Sequence, residues 1–209
     1  TIRKDYTAAT ILYTRSCQKL ALQMLESVLE RAVKYDFVDL AADASKLLRM
    51  QFKRESANIE KCQIYTEIHR KYEEKKYYES MAAEYYETFI EDFLVKRSPN
   101  NETSQKAINL FNKLHPFVNM VNTSAFYFYT YGILLIHLFS VNKIYEALYQ
   151  CNIMLEFLEA NRNTNRSVIL NLITQKMACL THLRVNDTVE INKILVLFYK
   201  YRNANDFAM

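Results

Sequence analysis

The residues able to do chemistry in this chain of 209 are four histidines, four cysteines and a few adjacent carboxylates. His69, His115, His137 and His182 stand far apart, and neither an HExxH motif nor a His/Cys pair falls at the spacing by which one helix or turn presents two ligands to a metal. Cys17, Cys62, Cys151 and Cys179 form no CxxC pair. Each falls in a helical pattern and reads as a small buried hydrophobe in a reducing, cytoplasmic compartment. The pairs Glu73-Glu74 and Glu91-Asp92 lie among lysines and arginines on what should be the wet side of a helix, without the burial that separates the pKa values of an acid and a base. One glycine in the whole chain rules out a phosphate-cradling loop. No catalytic, metal-binding or cofactor-binding residue is expected, and the chain reads as non-enzymatic.

The elements that would position any site are helices. Half the residues are hydrophobic, with one glycine, two prolines and no tryptophan. Sheets joined by tight turns need glycine at positive φ, so this composition points to an all-α fold. The 27 basic and 23 acidic residues give a net charge of +4 and are mixed along the helices, as on solvated faces rather than in a nucleic-acid footprint. A helical repeat reading one RNA base per unit is disfavoured, because lysine and arginine do not recur at one position per repeat. Leu114 to Asn142 carries no formal charge with His115 and His137 neutral. Asn119, Asn122, Thr123, Ser124, Thr130, His137 and Ser140 interrupt it, which favours a buried helix over membrane insertion. The chain starts at Thr1, in keeping with processing or with a fragment of a longer protein. Its Asn, Lys, Ile and Tyr content is compatible with a bacterial source.

Apolar periodicity places the helices. Thr7 to about Tyr35 reads as one long amphipathic helix, and Asp39 as the cap of a second helix carrying Leu40, Ala41, Ala44, Leu47, Leu48 and Phe52. Ile59 to Leu94 has no glycine, proline or turn cluster. It reads as a single helix of about 54 Å, because the charged stretch Glu73-Glu74-Lys75-Lys76 still consists of good helix formers. Arg97 to Asn101 is a break with Ser98 as cap, Thr103 to Leu114 a helix, and Pro116 its end. Ser124 to Asn161 reads as a helical hairpin folded at Ser140-Val141-Asn142-Lys143. After a polar loop at Asn161 to Asn165, a helix from Ser167 to Leu183 and a last helix begun by Asp187 and Glu190 form another. The expected architecture is an α-solenoid of about four antiparallel hairpins in a single domain, at about 7–54, 59–121, 124–161 and 165–202, with unusually long helices in the N-terminal half.

In the hairpin at 124–161, Phe128, Tyr131, Gly132 and Leu135 fall at i, i+3, i+4 and i+7, and Ala147-Leu148 follow on the second helix. This pattern resembles a tetratricopeptide repeat, although Gly132 to Ala147 is about three residues longer than the 34-residue consensus. The resemblance implies an interaction scaffold that binds a protein or peptide partner in a groove lined by first helices. Carried over position by position, it implies Phe126, Tyr129, Ile133 and His137 as partner-binding, with Gln175, Cys179 and His182 in the next unit. Gly132 is expected to sit against the second helix of its own hairpin, with room for alanine but not for leucine. An alternative function is structural: the long helices protrude and dock on another copy, as a homodimer, or on the rest of a longer chain, with Tyr77, Tyr78, Tyr85 and Tyr86 as interface residues.

Overall fold

The computed structural model describes residues 1–15, 17–54, 58–96, 101–161, 166–184 and 188–202, with side chains for all of these but 92–96 and 101. The described residues are all-helical, without a strand. They resolve into two compact units, Thr1–Ser80 and Met81–Met209.

The first unit contains α1 (Ile2–Thr14), α2 (Gln18–Lys34), α3 (Val38–Arg54) and the part of α4 (Ile59–Lys96) up to Ser80. The single helix expected over Thr7 to Tyr35 is therefore two. Arg15 (φ −93°, ψ 21°) and Cys17 (φ −86°, ψ 50°) leave helical geometry. The Thr10 and Thr14 hydroxyls donate to backbone carbonyls three residues back, the local competition by which threonine loosens a helix. The break lets α1 fold onto α2, so an apolar stripe too wide for one neighbour is divided between two helices. Ala9, Leu25, Val28, Ala32, Ala41 and Leu48 then form a fully buried core.

The 38-residue α4 is continuous, and its charged middle has partners across the unit. Lys75 Nζ lies 3.1 Å from Asp36 Oδ1, and Lys76 Nζ lies 3.4 Å from Asp39. Asp39 itself stands inside the first turn of α3, where a carboxylate favours the helix dipole. Nearer the start of α4, Tyr65 stacks on Phe52 and donates to Glu26.

The second unit contains the rest of α4, α5 (Asn101–Leu114), a 3-10 turn over His115–Phe117 holding Pro116, α6 (Val118–Val121), α7 (Ser124–Ser140), α8 (Ile144–Ala160), α9 (Arg166–His182) and α10 (Thr188–Arg202). Thr123 caps α7, its hydroxyl accepting from the Phe126 amide at 3.3 Å. Packing runs α5 on α7, α7 on α8, α8 on α9 and α9 on α10. Leu135, Ala147, Cys151, Met154, Leu158, Leu172, Ile173, Cys179 and Ile194 make the core. The caps expected at Ser98 and Asp187 lie outside the described residues, and Glu190 accepts an ion pair from Lys176 at 2.7 Å.

With no glycine at positive φ, the tight helix ends fall to other residues. Asp36 (φ 51°), Asn122 (φ 45°), Asn142 (φ 58°) and Arg184 (φ 53°) are left-handed. At the ends of α2 and α7 the same Schellman motif appears. Phe37 N–H donates to Ala32 and Asp36 N–H to Val33; correspondingly, Lys143 N–H donates to Leu138 and Asn142 N–H to Phe139. Aspartate and asparagine tolerate this region best after glycine.

Gly132 is buried in α7, but not against α8 as expected. A β-carbon built on it would lie 2.7 Å from Cε2 of Tyr86, on α4. The close approach inferred from the lone glycine is real; its partner is an aromatic ring far away in sequence.

Candidate partner-binding surface

Phe126, Tyr129, Ile133 and His137 do share one face of α7, and α4 and α5 cover that face. Phe126 and Ile133 are fully buried. The Tyr129 ring packs 5.5 Å from that of Tyr86, and His137 Nδ1 lies 2.9 Å from Ser104 Oγ and 3.1 Å from the Ser104 carbonyl oxygen. On α9, Cys179 is fully buried, Gln175 is half-buried with Nε2 donating to Asn171 at 2.7 Å, and His182 is exposed. As groove-lining residues, Phe126, Ile133 and Cys179 are thus corrected to core. Helix-face arithmetic puts residues on a common face but cannot tell which neighbour occupies it. Of the tyrosines expected in an interface between copies, Tyr86 is engaged by Gly132, Phe128 and Tyr129, while Tyr77 is 63% exposed.

The aromatic residues at the start of α7 are structural. Tyr127 stacks on Phe157 of α8 at 3.9 Å and meets Tyr131 at 4.3 Å; Tyr131 meets Phe111 of α5 at 5.6 Å, and Phe111 meets His115 at 4.9 Å. This ladder ties three helices together, with each ring pair adding about 0.5–1.5 kcal/mol beyond its buried area. Burial, reinforced by the neighbouring Tyr131, pushes the Tyr127 phenol up to about 12. His69 is likewise structural, its Nδ1–H donating to the Ala42 carbonyl at 3.2 Å.

Among the described residues of this unit, the most exposed large apolar side chains lie on α8 and α10. Ile144, Ala147, Cys151, Met154, Leu155 and Leu158 turn α8 inward, which leaves Tyr145 and Tyr149, one turn apart, 75% and 68% exposed. On α10 only Ile194 is buried, and Val189, Val196 and Tyr199 on the opposite face are 61%, 69% and 54% exposed. Val189, Asn192, Lys193, Val196 and Leu197 line a shallow apolar depression there. Isolated exposed apolar residues are ordinary, whereas stripes at helical spacing mark surfaces that proteins use for association. These residues escaped the sequence reading, although a signal was present. Tyr145 and Tyr149 lie off the period of the α8 packing face, so they had to point away from it.

Among the described residues no cluster of histidine, cysteine and carboxylate could hold a metal ion, and no described helix is long and apolar enough to cross a membrane. No protein family, curated protein or solved structure matches the chain.

Proposed function

We propose that the chain is a non-enzymatic protein–protein interaction scaffold, a tetratricopeptide-like helical array whose partner docks on the outward faces of α8 and α10. The observation that carries this reading is the pair of exposed stripes, Tyr145 with Tyr149 and Val189 with Val196 and Tyr199, on helices whose opposite faces are packed. Tyrosines supply large contact area at low entropic cost and are frequent anchors of interfaces. Lys193 makes no ion pair among the described residues and stands in the α10 stripe, which suits a partner segment with a carboxylate beside its apolar residues.

Cross-linking in cells followed by identification of the linked peptides tests this reading. Links from α8 and α10 to another protein are expected. They should disappear in Tyr149→Ser/Val196→Ser while circular dichroism stays helical; links unaffected by that variant would overturn the reading.

A second reading is self-association in the first unit, favoured by the exposure of Tyr77, whose ring packs edge-on with Tyr78 at 5.3 Å. Sedimentation across micromolar concentrations decides it: a Tyr77-dependent dimer supports it, and a strict monomer excludes it.

A further inference from the structure

We propose that Cys151 and Cys179 are an oxidative modification site, at which a peroxide converts the two thiols into a disulfide that ties α8 to α9. Both cysteines are fully buried in the same core cluster, on two helices that pack directly on each other. Their thiols are hydrogen-bonded, the Cys151 S–H donating to the Cys179 sulfur. Singly, each would be an inert core residue. Together they supply the two parts of a disulfide-forming site, a nucleophile and a resolving thiol within reach of it.

The roles are unequal. Accepting the Cys151 hydrogen bond favours the thiolate of Cys179 and lowers its pKa, against the opposing effect of burial. Donating that bond, together with burial, raises Cys151. The pair therefore gives up one proton much more readily than two. Lys176, one turn before Cys179, is itself buried, with its ammonium 2.7 Å from Glu190, and its charge acts on Cys151.

In the first step the Cys179 thiolate attacks one oxygen of hydrogen peroxide. An S–O bond forms, the O–O bond breaks, and the departing hydroxide takes a proton to leave as water. In the second step the Cys151 sulfur attacks the Cys179 sulfenic acid. The S–S bond forms, the S–O bond breaks, and the oxygen leaves as water with the Cys151 proton. Overall, two thiols lose two electrons and two protons, and one peroxide becomes two waters. Burial sets the selectivity: a molecule the size of peroxide reaches the pair through small openings of the native fold, whereas a bulky disulfide such as oxidised glutathione does not. Cys17, exposed, and Cys62, half-buried, are open to both.

The test uses the full chain as Cys17→Ser/Cys62→Ser, treated with hydrogen peroxide without denaturant, then quenched and unfolded for thiol counting and mass spectrometry. The expected result is loss of both thiols, a mass lower by two hydrogens, linked peptides containing residues 151 and 179, and a higher melting temperature that dithiothreitol reverses. Oxidised glutathione should leave both thiols free. Replacing Cys151 with serine in the same background should abolish the linked peptides; should that variant fail to fold, the parent measurement stands by itself. Retention of both thiols, a gain of oxygen without a disulfide, or linkage only after denaturation would overturn the proposal.

Discussion

Gly132 on α7 exists to admit the ring of Tyr86 on α4. A β-carbon at residue 132 would stand 2.7 Å from Tyr86 Cε2 and 3.4 Å from Cδ2, and the ring cannot retreat freely because Phe128 and Tyr129 hold it at centroid distances of 5.6 and 5.5 Å. The alanine that a tetratricopeptide-like position would tolerate is therefore too large here.

Gly132→Ala is expected to lower stability by about 1 kcal/mol, the overpacking cost exceeding a helix-propensity gain of up to about 1 kcal/mol. Gly132→Leu should cost more. In a Tyr86→Ala background, itself destabilised, the same Gly132→Ala change should become neutral or stabilising, because the colliding ring is gone. Thermal melts of the four proteins in this double-mutant cycle measure the reversal. Strict additivity would show that Gly132 and Tyr86 do not meet.

The left-handed turn between α7 and α8 makes a second test. Asn142 (φ 58°) is replaceable by glycine with no loss of stability, whereas a β-branched valine should cost about 1–2 kcal/mol. That cost corresponds to a fall of roughly 2–4 °C per kcal/mol in melting temperature for a chain of this size. Equal melting of Asn142→Gly and Asn142→Val would contradict the turn geometry.

Alkaline pH should loosen both units. Burial, with Asp36 adding to it, pushes the Tyr72 phenol up to about 12, as burial with Tyr131 does for Tyr127. The unfolded chain releases these protons near 10.0, so above that pH it holds fewer protons than the folded chain. Stability is then fully present below pH about 10 and declines as pH rises towards about 12. Melting curves across that range, combined with phenolate absorbance, check the prediction. Tyr72→Phe and Tyr127→Phe should each flatten the decline, and an unchanged slope in both would refute it.

The parts of this fold legible in the sequence are those set by local chemistry. The break at residues 140–143 and the proline at 116 mark helix ends because each acts on its own backbone. The uninterrupted α4 is legible for the converse reason, since nothing in Ile59 to Lys96 breaks a helix. The split between Thr14 and Gln18 is different: the threonine hydroxyls loosen the helix locally, but that the chain folds back there depends on α1 packing on α2. The same holds for Gly132, whose need for space was visible while Tyr86 was not. Face geometry assigns Phe126, Ile133 and Cys179 to an open groove because it counts residues and cannot see that neighbouring helices bury them, α8 in the case of Cys179. Tyr145 and Tyr149 were readable in principle, since aromatic residues off a packing face must meet solvent or a partner.

The most direct measurement of the central claim is hydrogen exchange of the chain alone and with the protein captured by cross-linking. Docking on the outward faces is expected to slow exchange of amides around Tyr145 and Tyr149 on α8 and from Val189 to Tyr199 on α10, with α7 unchanged. Protection confined to α7 and the exposed end of α9 near His182, with α8 and α10 exchanging as in the free chain, would contradict it and return the binding site to the first helices.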